Sequence, residues 1–246
     1  MPLCSGFTLI ELLVVMAILG LLAALLLPAL ARVRGKAHAA ACVSNERQLG
    51  VAFLLYCDDH EEAFPTGAAS SSLGAQPEDW IWWQLQTDAV GQAVMRRGEG
   101  SALAPYLGRY QSSSFRCPAD RAALARELAW QQNMKAELYT YSYSLNGFSQ
   151  RGMASYISQD RSMTFFNKLS AVVNPANKIM LAEEKGSASD GPGSVFIDDG
   201  RWQPLGYPLT MRHAGKANVT FADGHVETVR REFADQDHPE HFDPAY

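Results

Sequence analysis

Among 246 residues there are four cysteines, and none forms a Cys-x2-Cys pair, so the spacing of a zinc knuckle or ribbon is absent. No dense basic tract occurs in a chain of net charge −5, which excludes nucleic-acid binding through an electrostatic footprint. Residues 1–6 (MPLCSG) hold neither Lys nor Arg and so lack the basic start of an ordinary secretory signal. Loop-like composition is confined to two stretches, 67–74 (GAASSSLG) and 186–193 (GSASDGPG). No serine or cysteine nucleophile with an oxyanion signature accompanies the histidines, so no enzymatic activity is expected.

What the chain does have is an unbroken apolar run from Leu12 to Ala31. At about 1.5 Å per residue such a run is long enough to cross a bilayer core as one helix. Glu11 is a lone carboxylate at its leading edge. An ionisable group at such a place is costly and calls for a partner. A secretory signal cut at Ala29-Leu30-Ala31 is the rival reading, but the apolar core is too long and Glu11 interrupts it.

The segment Gly6-Phe7-Thr8-Leu9-Ile10-Glu11, continued by Leu12-Leu13-Val14-Val15, resembles the precursors of type IV pilins and type II secretion pseudopilins. The resemblance implies cleavage after Gly6 by a membrane prepilin peptidase that also methylates the new amino terminus at Phe7. It implies a pairing of Glu11 with the terminal ammonium of a neighbouring subunit during filament assembly. Residues 1–6 are then a leader, 7–31 the membrane half of the N-terminal helix, 32–60 its extramembrane half and 61–246 a globular domain. A single-pass place in a bacterial inner membrane, with the bulk of the chain periplasmic, follows from the same likeness. So do its partners: other pilin-like subunits and a secretion or pilus assembly platform.

Beyond Ala29 the pattern stays helical to about Asp59, with apolar residues recurring at three- and four-residue spacing; Pro28 can kink or melt the helix. The block Cys42-Val43-Ser44-Asn45-Glu46-Arg47-Gln48-Leu49, then Tyr56-Cys57-Asp58-Asp59 and Phe64-Pro65, resembles a run in one pilin-like subfamily. The same subfamily has counterparts to Pro105-Tyr106-Leu107 and Cys117-Pro118. Its C-terminal mark is a histidine, nine residues and Asp-Gly, matched by His213, Asp223 and Gly224. Trp80, Trp82 and Trp83 read as core or filament contact, with a sugar platform as the sharper alternative.

Tyr139–Asn146 alternates as a strand does, and Lys178–Glu183 reads as a second, buried strand. Ala217–Val229 reads as a hairpin turning at Asp223-Gly224, with Phe221 opposite Val226 and Val219 opposite Thr228. One apolar face of that hairpin would pack on a helix. The expected fold is therefore α+β and pilin-like: a long N-terminal helix on a C-terminal antiparallel sheet, with a large middle insertion.

If the leader is removed, Cys42, Cys57 and Cys117 remain. Cys42 and Cys57 on one helix lie about 22 Å apart and cannot bond each other, so Cys117 is the available partner for either. Three reduced, buried thiols are the other outcome. The subfamily likeness favours Cys42 with Cys117. His213 and Asp223 read as structural and no metal site is assigned; by analogy with major pseudopilins, Ca2+ on Asp190, Asp198 and Asp199 is the weak candidate. The functional expectation is a structural filament subunit, with a membrane-anchored or secreted ligand- or glycan-binding module as the alternative.

Overall fold

The computed structural model of the chain describes residues 9–69, 75–87, 90, 93–132, 139–147, 152–158, 161–162, 164–187, 197, 199–204, 206–235 and 237–246. Two compact units divide it, Met1–His38 and Ala39–Tyr246. Helix α1 (Leu9–Asp59) begins in the first and ends in the second. In the first unit every described side chain up to Ala37 is exposed, and the helix there is long and apolar enough to cross a membrane. Pro28 lies inside α1 without ending it. One lost hydrogen bond is tolerated there because the flanking residues, mostly Leu and Ala, are strong helix formers.

In the second unit the character of α1 changes from exposed to half-buried. Cys42, Glu46, Leu49, Gly50, Ala52, Phe53, Tyr56 and Cys57 form its buried stripe, at the spacing that keeps side chains on one helix face. Asn45, on the flank of that stripe, donates through Nδ2 to the carbonyls of Ser113 and Arg116, at 3.2 and 3.0 Å. The Cys-x-x-Asn pattern thus fastens the helix to the loop that carries Cys117.

A five-stranded sheet follows, built from β3 (Tyr143–Asn146), β6 (Ile179–Glu183), β7 (Arg201–Trp202), β8 (Lys216–Phe221) and β9 (Val226–Arg230). Its order is β7-β3-β6-β8-β9. The pairs β3–β6, β6–β8 and β8–β9 are antiparallel, but β7 joins β3 in parallel. The expected all-antiparallel sheet is therefore corrected to a mixed one. Strand β7 reaches its edge position through a long connection from β6, and its Trp202 is buried against the second core. Two small hairpins lie apart from this sheet, β1 (Leu85–Thr87) with β2 (Ala93–Met95) and β4 (Tyr156–Ile157) with β5 (Thr164–Phe165). Regular strand covers only the end of the expected Tyr139–Asn146 segment, whose Tyr139 and Tyr141 precede β3 as buried core residues.

The β8–β9 hairpin differs from its expected register by one residue. Val219 pairs with Glu227 and Thr220 with Val226, and Phe221 N–H donates to His225 O at 2.9 Å. The loop is thus Ala222-Asp223-Gly224, with Gly224 at φ +88°, the left-handed conformation glycine accepts at least cost. The extra loop residue has its own reason: Ala222 N–H donates to Lys178 O at 2.8 Å, so Ala222 is held in the sheet margin and cannot join the turn pair. The facing is reversed as well. Thr220, on the polar side of β8, meets α1, where its Oγ1 donates to Glu46 Oε2 at 3.1 Å. A β-carbon on Gly50 would lie 2.9 Å from Thr220 Cγ2, so helix and strand approach closely at that glycine. The apolar side of β8 (Ala217, Val219, Phe221) faces a second core with Ile179, Trp202 and Phe242.

Between α1 and β3, Phe53, Trp80 and Phe115 form a chain of ring contacts at 5.6 and 6.0 Å. Trp80 and Trp83 are buried, and their indoles donate to Gly200 O and Ala68 O. Both serve the core, leaving the partly exposed Trp82 beneath the Arg96 guanidinium. Asp79 organises this region: it accepts from Thr66 Oγ1 at 2.7 Å, Gln76 N at 2.8 Å and Arg96 Nη1 at 3.0 Å. Helix α2 (Arg121–Gln132) is capped by Asp120, whose Oδ1 accepts from the N–H groups of Ala122 and Ala123.

Candidate functional site

Gly6 and Phe7, the expected processing pair, lie outside the described residues. Glu11 is exposed in the first turn of α1, where the helix dipole favours a negative charge.

Inside the second unit four side chains converge from distant positions: Cys42 on α1, Cys117 in the loop before α2, Glu183 at the end of β6 and His213 just before β8. All are buried, and one donor atom from each lies within 4.8 Å of the others. The Cys42 thiol donates to Glu183 Oε1 at 3.0 Å and sits 3.1 Å from Tyr143 Oη. His213 Nε2 is 3.4 Å from Cys117 Sγ and 3.0 Å from Glu183 Oε2. Asn218 N–H donates to Glu183 Oε2 at 2.8 Å, and Arg212 Nη1 lies 3.8 Å from Glu183 Oε1.

The electrostatics follow from this geometry. Burial alone would lower the His213 imidazole, but its contacts with Cys117 and Glu183 outweigh that and push its pKa up to about 10. Burial would raise the Glu183 carboxyl, yet His213 and Arg212 hold it below the usual range. Hydrogen bonding from Cys42 lowers the Cys117 thiol against its burial, while burial and the neighbouring acids raise Cys42. Glu46, one turn beyond Cys42 on the same face of α1, is driven well up by burial and by Glu183. The set is not wired as a nucleophile relay. Cys117 and Glu183 both meet Nε2 of His213, whereas a relay needs the carboxylate on the other ring nitrogen.

The remaining sequence candidates fall elsewhere. Asp223 Oδ1 accepts from His225 N at 3.1 Å and pairs with its Nδ1 at 2.5 Å, so the Asp-Gly part of the motif is hairpin structure and lies apart from His213's cluster. Asp199 is buried and caps Arg201 N–H at 2.8 Å; Asp190 and Asp198 lie outside the described residues. Cys57 is buried apart, its thiol pushed up to about 12 by burial. Cys42 and Cys117, the pair the family likeness favours, do come together, and both are free thiols here. Glu183 escaped the sequence reading. Its signal was a carboxylate closing an otherwise apolar strand, a position that demands buried partners.

Residues 1–27 match the family model described as the prokaryotic N-terminal methylation motif. With the apolar N-terminal helix, this match supports a type IV pilin-like protein anchored in a membrane by that single helix. The motif implies processing by a prepilin peptidase and assembly with other pilin subunits. No curated protein and no solved structure matches the chain.

Proposed function

We propose that the chain is a structural, non-enzymatic subunit of a type II secretion pseudopilus or type IV pilus-like filament, cleaved after Gly6 and N-methylated at Phe7. The observation that carries this reading is the methylation motif running directly into a fully exposed apolar helix. Such a surface is covered either by lipid or by copies of itself. The globular unit is then periplasmic, and its His213…Asp223-Gly224 spacing is what supports placing it in the pilin-like subfamily with that signature. On this reading the segment between α1 and β3 is the large middle insertion of a pilin-like fold. A ligand-binding module is favoured by one feature, an open cleft of about 680 Å³ lined by Arg97, Arg109, Tyr110 and Arg116 among others.

Intact-mass analysis of the native protein should find chains beginning at methylated Phe7. Chains beginning at Arg32 would establish a secretory signal instead. Gly20→Leu separates subunit from binder. A β-carbon at Gly20 meets nothing within 4 Å in the single chain, so the folded monomer should tolerate leucine. Small residues matter where membrane helices pack closely. Filament yield should therefore fall sharply while insertion and the fold of residues 32–246 persist. Unchanged yield would favour the anchored binder.

A further inference from the structure

We propose that Cys42, Cys117, Glu183 and His213 form a closed, four-coordinate site for a thiophilic divalent cation, Zn2+. The inference stands on the second unit alone and is independent of the filament reading. Four donors of the types zinc prefers meet at one buried point. Zinc–ligand bonds of about 2.0–2.3 Å place tetrahedral neighbours about 3.3–3.8 Å apart. With Glu183 Oε1 as the single carboxylate donor, the separations of 3.0 Å to Cys42 Sγ and 3.1 Å to His213 Nε2, and of 3.4 Å from Cys117 Sγ to His213 Nε2, need only tenths of an ångström of expansion to reach that geometry.

The charge balance is compatible with this. A bound divalent cation would displace the thiol protons, and the two thiolates and the Glu183 carboxylate would then set three negative charges against its two, with Arg212 Nη1 3.8 Å from Glu183 Oε1 and 3.5 Å from Asp120 Oδ2 beside the remainder. Outer partners that orient ligands are also in place: Tyr143 Oη on the Cys42 sulfur, and Asn218 N–H on Oε2, the second oxygen of Glu183. With all four positions supplied by the protein and none open to solvent, the site is structural. It would tie α1, the loop before α2, the end of β6 and the turn before β8 at one point. A disulfide between Cys42 and Cys117 would use only the two sulfurs and gives no reason for an imidazole and a carboxylate to converge on them.

The test is titration of the full chain, in detergent, reduced with a phosphine and stripped with chelator, using Co2+ alone as the probe. One equivalent per chain should bind, with thiolate-to-cobalt charge transfer and the strong visible bands of tetrahedral cobalt, and Zn2+ should displace it. Cys57→Ser should behave as wild type. The double variant Cys42→Ser, Cys117→Ser should lose the charge-transfer band, and Tyr143→Phe should bind roughly tenfold more weakly. Two results would overturn the site: a reduced wild-type chain, folded by circular dichroism, that shows no charge transfer, or bands that persist in the double variant. Isolation of a Cys42–Cys117 disulfide whose reduction creates no cobalt uptake would likewise replace the cation with a bridge. Because the wild-type titration is decisive alone, a variant that fails to fold does not spare the proposal. Filament yield plays no part in the readout.

Discussion

Glu11→Ala is expected to leave membrane insertion and leader cleavage intact and to abolish filament assembly. The twenty residues after Glu11 carry no charge, so none of them offers the carboxylate a cation. Pairing with the terminal ammonium of a neighbouring Phe7 would place two opposite charges in a low-dielectric slab, where their attraction is strong and an unpaired member is penalised. Removing one partner of a buried pair costs about 3–5 kcal/mol, which corresponds to roughly two to three and a half orders of magnitude in subunit association. The measurement is sheared or secreted filament yield at matched membrane levels of the processed chain. Normal yield from Glu11→Ala would remove the ion pair from the assembly mechanism.

Asp79→Ala should be strongly damaging to the globular unit. The Asp79 and Arg96 side chains are both almost wholly buried, and their contact is 3.0 Å. Alanine would strand the guanidinium and also orphan Thr66 Oγ1 and the Gln76 N–H on the Asp79 side. An expected loss of about 3–5 kcal/mol is a third or more of the stability of many domains. Denaturant unfolding followed by tryptophan fluorescence should show it as a lower midpoint at unchanged slope. Arg161→Ala is the control. It breaks an exposed pair with Glu78 and should leave the midpoint near wild type. Equal midpoints for Asp79→Ala and wild type would mean that the hub contributes nothing to stability.

The parts of this structure that were legible in the sequence are those governed by local periodicity. The apolar run and the three-to-four spacing beyond it gave α1 as far as its end at Asp59, and Lys178–Glu183 was readable as a buried strand, observed as Ile179–Glu183. The hairpin was placed correctly, but its register was missed because Ala222 answers to Lys178, the residue just before β6, and no local rule reports that contact. The parallel β7 depends on a long connection whose return point has no short-range signal. Cysteine spacing argued against a metal set because the ligands are drawn from four separate segments. Cys42 and Asn45 stood out only as a motif, and the structure gives them distinct tasks, one in the buried cluster and one on the carbonyls of the adjoining loop. Asp79 and Arg96 carried no warning at all, since each alone reads as an ordinary surface charge.

Cys42 is the first buried residue along α1, every described residue before it being exposed or half-exposed. A tensile load applied to the amino-terminal end of the helix therefore enters the globular unit at that residue. Whatever joins Cys42 to Cys117, Glu183 and His213 is the first fastening the force must break. Hydrogen bonds alone would let α1 peel away one turn at a time, Cys42 and Asn45 yielding before the Leu49 and Phe53 contacts are stressed. A metal–thiolate or sulfur–sulfur link at the same place would stop the peel at its origin and transmit the pull to β6. The rupture force of the subunit in single-molecule extension would then be set by the chemical state of one cluster, with the hydrophobic area behind it making little difference.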